Sequence, residues 1–302
     1  MDPDTTHPTP MVSLAGVEKS FPDFHMGPVG LEVEPGYVAA LVGPNGYGKS
    51  TLFRMLLNLA HPDAGRLRIF GLGYPDNEIR IKRDIGYVPD VVVGADEMTP
   101  KDLGTFTAYW YPSWDQERYT GLLKRFEIPG KKRFTNLSKG LRRRLSFAVA
   151  LATQARLLVL DEPTDGIDPL ARRMVLDEVA DYVQDGQRSV LFSTHVVDEV
   201  RNIADYVAFM HEGSFLGMYE KDDLMQCWKA LWVDHPPDAE LPGVVSVQHG
   251  SPARLVSRSP VHTRDALREQ RIEVVRTAAL DLDEILGHLV REHAGVAGGR
   301  AL

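Results

Sequence analysis

A glycine-rich segment that joins an apolar run to a helical pattern constrains this chain more than any other feature. The segment Gly43–Thr51 reads GPNGYGKST and fits the spacing G-x-x-x-x-G-K-[ST]. The run before it, Val38–Val42, predicts a strand, and Leu52–Leu57 after it predicts a helix. In that setting the backbone N–H groups of the loop and the positive end of the helix dipole converge on an anion. The sequence therefore predicts a phosphate-binding loop.

We expect every residue of this loop to contact a nucleotide: Gly43, Pro44, Asn45, Gly46, Tyr47, Gly48, Lys49, Ser50 and Thr51. The Lys49 ammonium group can reach the β- and γ-phosphates, where it also assists catalysis, and the Ser50 hydroxyl group can ligate Mg²⁺. The alternative is a chance glycine-rich turn, which gives no reason for the flanking strand and helix. The loop predicts binding of ATP with Mg²⁺.

The bulk composition limits the classes of function. The 302 residues suit one large α/β domain plus a small one, and the net charge of −8 gives no electrostatic reason to expect nucleic acid as a partner. Cys227 is the only cysteine, so no internal disulfide or thiolate zinc site is expected, which suits the cytoplasm. No apolar run approaches the ~20 residues that span a bilayer. Residues 1–10 lack a secretion pattern and predict a disordered arm.

Strand-like runs alternate with helical patterns, which predicts an α/β fold with a mostly parallel sheet. The predicted core strands are Val38–Val42, Ile85–Val88, Leu157–Leu160, Ser189–Ser193 and Tyr206–Met210. A helical, aromatic-rich stretch at about residues 95–150 predicts an insertion in this core. We assign residues 11–221 to the main domain, including that insertion.

The pattern weakens in the last part of the chain. Short strands at Val244–Val247 and Arg271–Val275 and an amphipathic helix over Leu280–Val290 predict a small α+β appendage at residues 222–292. Residues 293–302 are expected to form a flexible tail. The sequence leaves open whether the appendage has an interaction role or only packs on the core.

A pair of carboxylates follows the predicted strand Leu157–Leu160. Asp161 and Glu162 lie where ligands bind in parallel sheets, at the carboxyl end of a buried strand. Asp161 is placed to hold Mg²⁺ through water, and Glu162 to polarise the water that attacks the γ-phosphate. The alternative is a solvated acidic pair that caps a helix.

A histidine follows the next predicted strand. His195 comes directly after Ser193 and Thr194 and could bond the γ-phosphate while it orients the attacking water and Glu162. A lone histidine is more often structural, but this one follows a parallel strand tip, as the other two motifs do. We therefore expect it to be catalytic.

A further helix start could bind a second phosphate. Ser138 is expected to cap the helix that follows, and Gly140 would allow close backbone approach. An ordinary serine-capped helix is the alternative. The three arginines at Arg142–Arg144 are typical of a solvated helix face.

Together and in this order, the motifs resemble those of the ATP-binding subunits of ABC transporters. The resemblance covers about Val12–Tyr219. It identifies Gly43–Thr51 as the Walker A loop and Leu157–Glu162 as Walker B. By this resemblance, the remaining family motifs are the Q-loop at Ile85–Asp90, the signature at Ser138-Lys139-Gly140, the D-loop at Thr164–Asp168 and the switch histidine at His195. Phe21 matches the aromatic residue that stacks on adenine, with Phe24 as the alternative; either could be a core residue.

The resemblance implies an ABC-type P-loop core with N-terminal antiparallel strands and a helical signature subdomain. In this family two subunits pair head to tail, and each ATP lies between the Walker motifs of one and the signature of the other. The nucleotide is thus expected to contact Ser138, Lys139, Gly140 and the D-loop residue Asp168. A homodimer and a pairing with a second ABC ATPase subunit are both open. A separate membrane permease is expected to hold the subunit peripherally at the cytoplasmic face.

A narrower resemblance comes from the aromatic run Tyr109–Asp115, which reads YWYPSWD ahead of the signature. It is similar to that of the YtrB-like ATPases of bacterial exporter-type systems. The run could help form the permease-docking surface, although most of it is expected to belong to the core of the helical subdomain.

Three positions depart from the family pattern. Asp90 stands in the Q-loop where most members have Gln; its carboxylate can still approach Mg²⁺ directly or through water. The signature reads LSKGL rather than LSGGQ, so Lys139 brings a cation towards the opposing γ-phosphate and Leu141 cannot bond ribose. Tyr47 occupies a Walker A position that is usually small, so its side chain must point away from the phosphates or the loop is distorted.

Three functions remain to be separated. The first is an ATP-hydrolysing subunit that drives a membrane transporter. The second is a soluble ATP-driven switch, although such relatives usually carry two ATPase cores or a long coiled coil, and this chain has neither. The third, motivated by Asp90 and the altered signature, is a hydrolysis-deficient subunit that binds ATP and pairs with a different ATPase.

Overall fold

Strands whose residues are buried on both faces build the central sheet. In the computed structural model, which describes residues 8–91 and 96–298, every residue of β3 (Val38–Val42), β6 (Leu157–Asp161) and β7 (Ser189–Thr194) is buried. Strands β5 (Ile85–Val88), β8 (Tyr206–His211) and β9 (Ser214–Glu220) complete six strands in the order β5-β6-β7-β3-β8-β9. The pairs β5–β6, β6–β7, β3–β7 and β3–β8 are parallel, which confirms the predicted α/β class.

A separate antiparallel sheet forms from the N-terminal part of the chain. It contains β1 (Val12–Phe21), β2 (Phe24–Val33) and β4 (Ala64–Ile69) in the order β2-β1-β4. Val12 pairs with Val33 on one side and with Ile69 on the other, and all three side chains are buried. Their apolar faces join the same hydrophobic cluster as residues of β3. The predicted N-terminal antiparallel strands are therefore present.

The helical stretch lies between β5 and β6, as predicted. It contains α3 (Pro100–Trp110), α4 (Gln116–Arg125), a short 3₁₀ turn at Phe134–Asn136 and α5 (Lys139–Ala152). Helix α5 packs its apolar side against α4, where the rings of Phe126 and Phe147 lie 6.1 Å apart. The other helices of this part of the chain are α1 (Lys49–Leu56), α2 (Glu78–Arg83), α6 (Pro169–Tyr182) and α7 (Val197–Ile203).

The strand order brings three loops to one edge of the sheet. Because β6, β7 and β3 are adjacent and parallel, their carboxyl ends lie side by side. Val42, Asp161 and Thr194 end these strands, and the phosphate loop, Glu162 and His195 follow them directly. Motifs that are far apart in the sequence therefore meet at this edge.

The chain divides into two compact units between Met218 and Tyr219. The second unit contains a four-stranded antiparallel sheet in the order β11-β12-β10-β13. Its elements are α8 (Lys221–Cys227), β10 (Lys229–Val233), β11 (Val244–Gln248), β12 (Ala253–Ser257), α9 (Pro260–Glu269), β13 (Val274–Ala279) and α10 (Leu282–Gly298). The strand predicted at Arg271–Val275 begins three residues later, because Arg271 has a left-handed φ of 58° and Ile272 bonds back to Leu267 after α9.

The domain boundaries at residues 11–221, 222–292 and 293–302 stay predictions. The division between the two compact units falls three residues before the predicted boundary at 221. Helix α10 continues to Gly298, into the segment predicted as tail. Residues 1–7 of the predicted N-terminal arm and residues 299–302 lie outside the described residues.

A buried histidine lies on α10 in the second unit. His288 is 4% exposed, and its ring centroid lies 5.8 Å from that of Trp228. Its Nδ1 lies 3.0 Å from Nη2 of Arg291. A guanidinium group can only donate, so Nδ1 must keep its lone pair. Burial, and then the positive charge of Arg291, lower the pKa of His288.

We expect the second unit to lose stability as the pH falls from 7.5 towards 5. The folded state binds the His288 proton less readily than the unfolded state, whose pKa is near the ordinary value, so acid favours unfolding. The loss should begin as the pH falls through the unfolded pKa. Chemical denaturation at several pH values, followed by hydrogen exchange of amide groups in the second unit, measures how steeply the free energy of unfolding depends on pH. In His288→Gln, the number of protons taken up on unfolding should fall by up to one, so the free energy of unfolding should depend less steeply on pH. An unchanged pH dependence would contradict the role of His288.

Candidate active site

A cavity of about 730 Å³ opens at the edge where the three loops meet. Predicted residues from five motifs line it: Asn45, Gly46, Gly48, Lys49, Ser50, Thr51, Asp90, Lys139, Glu162 and His195. The remaining predicted residues are outside this lining: Phe21, Gly43, Pro44, Tyr47, Ser138, Gly140, Asp161 and Asp168. The structure thus gathers the reactive side chains of the Walker motifs and the switch histidine around one space.

The phosphate loop has the shape that its glycines permit. Gly48 precedes α1 with a φ of 102°, a left-handed conformation that residues with a side chain rarely adopt, and no side chain of the described residues caps the helix. The N–H groups of the first turn are therefore left for an anion. A Cβ atom added at Gly43 would lie 2.2 Å from the carbonyl oxygen of Met210 on β8, so only glycine fits against that strand.

The Lys49 ammonium group is buried beneath this loop. Its side chain is 4% exposed, and Nζ lies 2.5 Å from the Gly43 carbonyl oxygen and 3.1 Å from that of Pro44. Nζ also lies 3.3 Å from Oε1 of Glu162. Gly43 and Pro44 thus serve the site through their carbonyl groups. Lys49 is held at the floor of the cavity by acceptors that an anionic oxygen can replace.

Glu162 has an unusual backbone conformation and an unsatisfied carboxylate oxygen. Its φ is 48°, and its N–H donates to Oγ of Ser193 at 3.0 Å. Oε2 lies 2.8 Å from Nδ1 of His195, whereas Oε1 is buried and makes no hydrogen bond to any residue that the structure describes. Buried oxygens without donors are rare in native proteins. This one faces Lys49 and is available to a bound water or ligand.

The predicted magnesium residues supply oxygen atoms of the kind that Mg²⁺ prefers. Ser50 and Asp90 line the cavity, and Asp161 is 2% exposed and accepts a hydrogen bond from Ser193 at 2.6 Å. Within residues 8–91 and 96–298, no three acidic, histidine or cysteine side chains are arranged to hold a metal by themselves. Mg²⁺ commonly binds through one or two protein oxygens, waters and substrate phosphates. The donor set therefore fits an ion that arrives with a nucleotide.

Two predicted nucleotide contacts have other partners in the structure. Phe21 is 45% exposed at the end of β1, with its ring 6.4 Å from that of Phe24 and 5.8 Å from Nζ of Lys19. The ring of Tyr47 packs edge-on against His211, with centroids 4.9 Å apart. The Tyr47 side chain therefore contacts the end of β8, in keeping with the prediction that it points away from the phosphates.

The signature and the D-loop contact each other within the same chain. Ser138 caps α5 as predicted, with Oγ accepting from Leu141 N at 3.3 Å. Lys139 donates to Asp165 at 2.7 Å, and this bond lowers the pKa of the Asp165 carboxyl group. Asp168 accepts from the N–H of Ala171 at 3.0 Å, which caps α6 and lowers the pKa of Asp168. Lys139 is thus paired with an acid of its own chain.

The triple arginine is not the solvated face that its composition predicts. Arg143 is 2% exposed and lines the cavity, while Arg142 and Arg144 are partly exposed. Arg143 shares the buried side of α5 with Phe147 and Ala150, at the spacing i, i+4 and i+7. That spacing is the sequence signal that could have identified it.

A second buried charged side chain was also not predicted from the sequence. Glu199 on α7 is 1% exposed and accepts hydrogen bonds from the hydroxyl groups of Thr164 in the D-loop and Thr194 at the end of β7. Nε of Arg172 on α6 lies 3.7 Å from the same carboxylate. The side chain therefore joins the D-loop to the segment that carries His195.

Comparison with known proteins agrees with this geometry. The sequence model of the ABC transporter family matches residues 26–165. YtrB, an ABC transporter ATP-binding protein of Bacillus subtilis (strain 168), is 30% identical over 213 residues, which is 70% of this chain and 73% of YtrB. The chain belongs to the ATP-binding subunits of ABC transporters. Nod factor export ATP-binding protein I of Rhizobium sp. (strain N33) is 34% identical over 208 residues, 67% of this chain and 68% of that protein.

Solved structures support the same fold. A structure of an ABC transporter ATP-binding subunit aligns with a TM-score of 0.66 at 24% identity over 72% of this chain and 92% of that one. An ATP-binding cassette in a dimeric post-hydrolysis state with ADP and phosphate gives a TM-score of 0.62 at 21% identity, over 70% of this chain and 98% of that one.

Membership of this family makes the protein an ATPase that uses ATP with Mg²⁺. The similarity to YtrB confirms the family resemblance that was drawn from the motifs. None of the helices within residues 8–91 and 96–298 is both long enough and apolar enough to span a membrane.

Proposed function

We propose that this ABC ATPase hydrolyses Mg-ATP in the cavity described above and thereby drives a separate membrane permease. The arrangement of Lys49, Glu162 and His195 carries the proposal. Lys49 exchanges its contacts with Gly43 and Pro44 for phosphate oxygens. Glu162 accepts a proton from the attacking water, and His195, 2.8 Å from Glu162, orients the carboxylate and the water. Ser50 would hold Mg²⁺, with Asp161 through water and Asp90 directly or through water, and the ion would supply charge neutralisation on the phosphates.

The proposal includes a head-to-tail pair of ATPase subunits. Ser138, Lys139 and Gly140 of one subunit would contact the nucleotide bound to the Walker motifs of the other. Lys139 is partly free to do so, because its side chain is 70% exposed although it is paired with Asp165. Both a homodimer and a pair with a second ABC ATPase subunit satisfy this arrangement. A dimeric state occurs in the ADP-bound cassette of the same fold.

An exposed aromatic patch supports the permease as a partner. Phe106, Tyr109 and Trp110 on α3 form this aromatic patch and are 52%, 81% and 58% exposed. Their rings contact one another, with centroids 5.1 Å apart for Tyr109 and Trp110 and 6.4 Å apart for Phe106 and Trp110. Aromatic side chains are enriched at protein interfaces, and a contiguous exposed group of them marks an interaction site.

The rest of the aromatic run belongs to the core, as the sequence predicted for most of it. The hydroxyl group of Tyr111 donates to the carbonyl oxygen of Ile85 at 3.1 Å. Trp114 packs on Tyr119 with centroids 5.0 Å apart. Because Tyr111 bonds to β5, the patch is attached to the strand that leads to Asp90 and the cavity. A permease bound at the patch would therefore be coupled to the nucleotide site.

We expect the tagged Glu162→Gln variant, with ATP, to retain a polytopic membrane protein from detergent-solubilised membranes. Mass spectrometry of the eluate identifies the permease and any second ATPase subunit. Replacing the aromatic patch by Phe106→Ser, Tyr109→Ser and Trp110→Ser in that background should reduce recovery of the permease at least about tenfold, because hot-spot aromatic residues dominate interface free energy.

The matched control replaces three exposed apolar residues elsewhere, Ile79→Ser, Val261→Ser and Val275→Ser, and should leave recovery unchanged. Recovery of soluble partners alone would favour the ATP-driven switch over the transporter. Equal recovery with and without the patch would remove the patch as a docking surface without affecting the transport proposal.

We further propose that the transporter is an exporter and that the subunit works at the cytoplasmic face of the membrane. The Nod factor export proteins among its relatives support the direction. The transported substrate would be selected by the permease.

A further inference from the structure

Arg143 is a buried cation at the boundary between α5 and the cavity. Its exposed fraction is 2%, and a guanidinium group remains charged in proteins. Such a group is stable in the interior only if acceptors surround its donors. The groups that accept hydrogen bonds from Arg143 therefore indicate its role.

Its guanidinium group bonds the ends of two neighbouring strands. Nη1 donates to the carbonyl oxygens of Pro89, directly after β5, and of Asp161, which ends β6, the latter at 3.4 Å. Nη2 donates to the carbonyl oxygen of Asp90 and lies 3.4 Å from its carboxylate oxygen Oδ1. One planar group thus fixes the chain at Pro89, Asp90 and Asp161. A lysine could not do the same, because its ammonium group donates hydrogen bonds from one nitrogen atom and lacks the planar fork of a guanidinium group.

The bond to Asp161 acts on the peptide that leads into Glu162. Arg143 holds the carbonyl end of that peptide, and Ser193 holds its N–H end at 3.0 Å. The plane of the peptide is therefore fixed from both sides. Glu162 has a φ of 48°, a conformation that a residue with a side chain keeps only when its surroundings impose it. The orientation of its carboxylate towards His195 and Lys49 depends on this peptide.

We propose that Arg143 is a positioning residue for ATP hydrolysis that holds Glu162 and Asp90 in place from helix α5. The inference rests on the proposed role of Glu162 as the general base. It also gives the Asp90 carboxylate, which departs from the family pattern, a cationic partner in its own chain. Helix α5 begins at Lys139, one turn before Arg143. If the signature end of this helix moved, the Arg143 side chain alone would transmit the movement to the peptide of Glu162.

The test compares Arg143→Lys with Arg125→Lys in the purified full chain. Arg125 ends α4 and pairs with Glu178 at 2.8 Å, and within the described part of the chain it neither lines the cavity nor bonds a residue of the nucleotide site. We expect Arg143→Lys to lower kcat by about 100-fold, the size of effect that a misplaced catalytic group causes. The Kd for ATP, measured by titration calorimetry, should stay within about threefold, since the contacts of the phosphate loop are unchanged. Arg125→Lys should keep kcat within about twofold.

Amide hydrogen exchange provides a readout that does not require turnover. The N–H of Glu162 should exchange faster in Arg143→Lys than in the natural chain or in Arg125→Lys, because its peptide is then held from one side only. Arg143→Gln, which removes the charge, is the second variant if Arg143→Lys does not fold. If the natural chain does not hydrolyse ATP, the proposed function is refuted. The exchange rate of the Glu162 amide would still decide whether Arg143 holds that peptide.

Four results would overturn the inference. The first three are an unchanged kcat in both Arg143 variants, an equal fall in kcat for Arg125→Lys, and unchanged exchange at Glu162. A rise in the Kd for ATP that accounts for all of the lost kcat/KM would also overturn it, because Arg143 would then support binding rather than the position of the base.

Discussion

Replacing Glu162 by Gln is expected to lower steady-state ATP turnover by about 10²–10⁴-fold, the range attributed to a positioned general base. The amide keeps the size of the side chain but cannot accept a proton from water at neutral pH. Its neighbours, Lys49 at 3.3 Å and His195 at 2.8 Å, remain in place, so ATP should still bind. Phosphate release in a coupled assay measures turnover, and titration with a fluorescent ATP analogue measures affinity.

Bound ATP that is not hydrolysed should hold two subunits together. We therefore expect Glu162→Gln to elute as a dimer with Mg-ATP in size-exclusion chromatography and as a monomer without nucleotide. Glu117→Gln, an exposed acid in the first turn of α4, is the matched control and should retain turnover. Turnover near that of the natural chain in Glu162→Gln would show that another group activates the water.

Replacing Lys49 by Ala is expected to abolish measurable turnover and to weaken ATP binding by about 10–100-fold. The estimate follows from the loss of hydrogen bonds to a charged group, about 1.5–3 kcal/mol. The side chain is 4% exposed and its ammonium group occupies the floor of the cavity, so water cannot fully replace it. Binding is measured by calorimetry, and turnover by phosphate release.

Lys82→Ala is the matched control, because Lys82 is 40% exposed on α2 and pairs only with Glu78 in the described structure. If the natural chain hydrolyses ATP and Lys49→Ala does not, the alternative of a hydrolysis-deficient subunit is excluded. If the natural chain binds ATP as a homodimer without turnover, that alternative would gain support, and a second ATPase subunit would become the expected partner.

The sequence predicted those parts of the site that short segments determine. The loop at Gly43–Thr51 and the strands at Val38–Val42 and Leu157–Leu160 are local patterns, and the parallel order of the strands then places Glu162 and His195 beside the loop. The fold of the main domain could be predicted for the same reason. The family resemblance added the antiparallel strands and the arrangement of the helical subdomain.

Long-range contacts explain what the sequence did not predict. Arg143 reaches Pro89 and Asp90 across more than fifty residues, and its identity as one of three consecutive arginines gives no sign of this. Glu199 likewise lies in a short helix with ordinary acidic composition. In the second unit, β10 and β12 were missed. Only Trp228 separates β10 from the end of α8, so no turn marks the start of the strand, and Arg254 interrupts the apolar run of β12.

The contact between Tyr47 and His211 has a consequence for how the loop meets its ligand. A glycine-rich loop with small side chains samples many shapes, and a ligand must select one of them, which costs conformational entropy. Here an aromatic ring in the middle of the loop is packed against the end of a buried strand, with centroids 4.9 Å apart. The loop therefore has less conformational entropy to lose when phosphates bind.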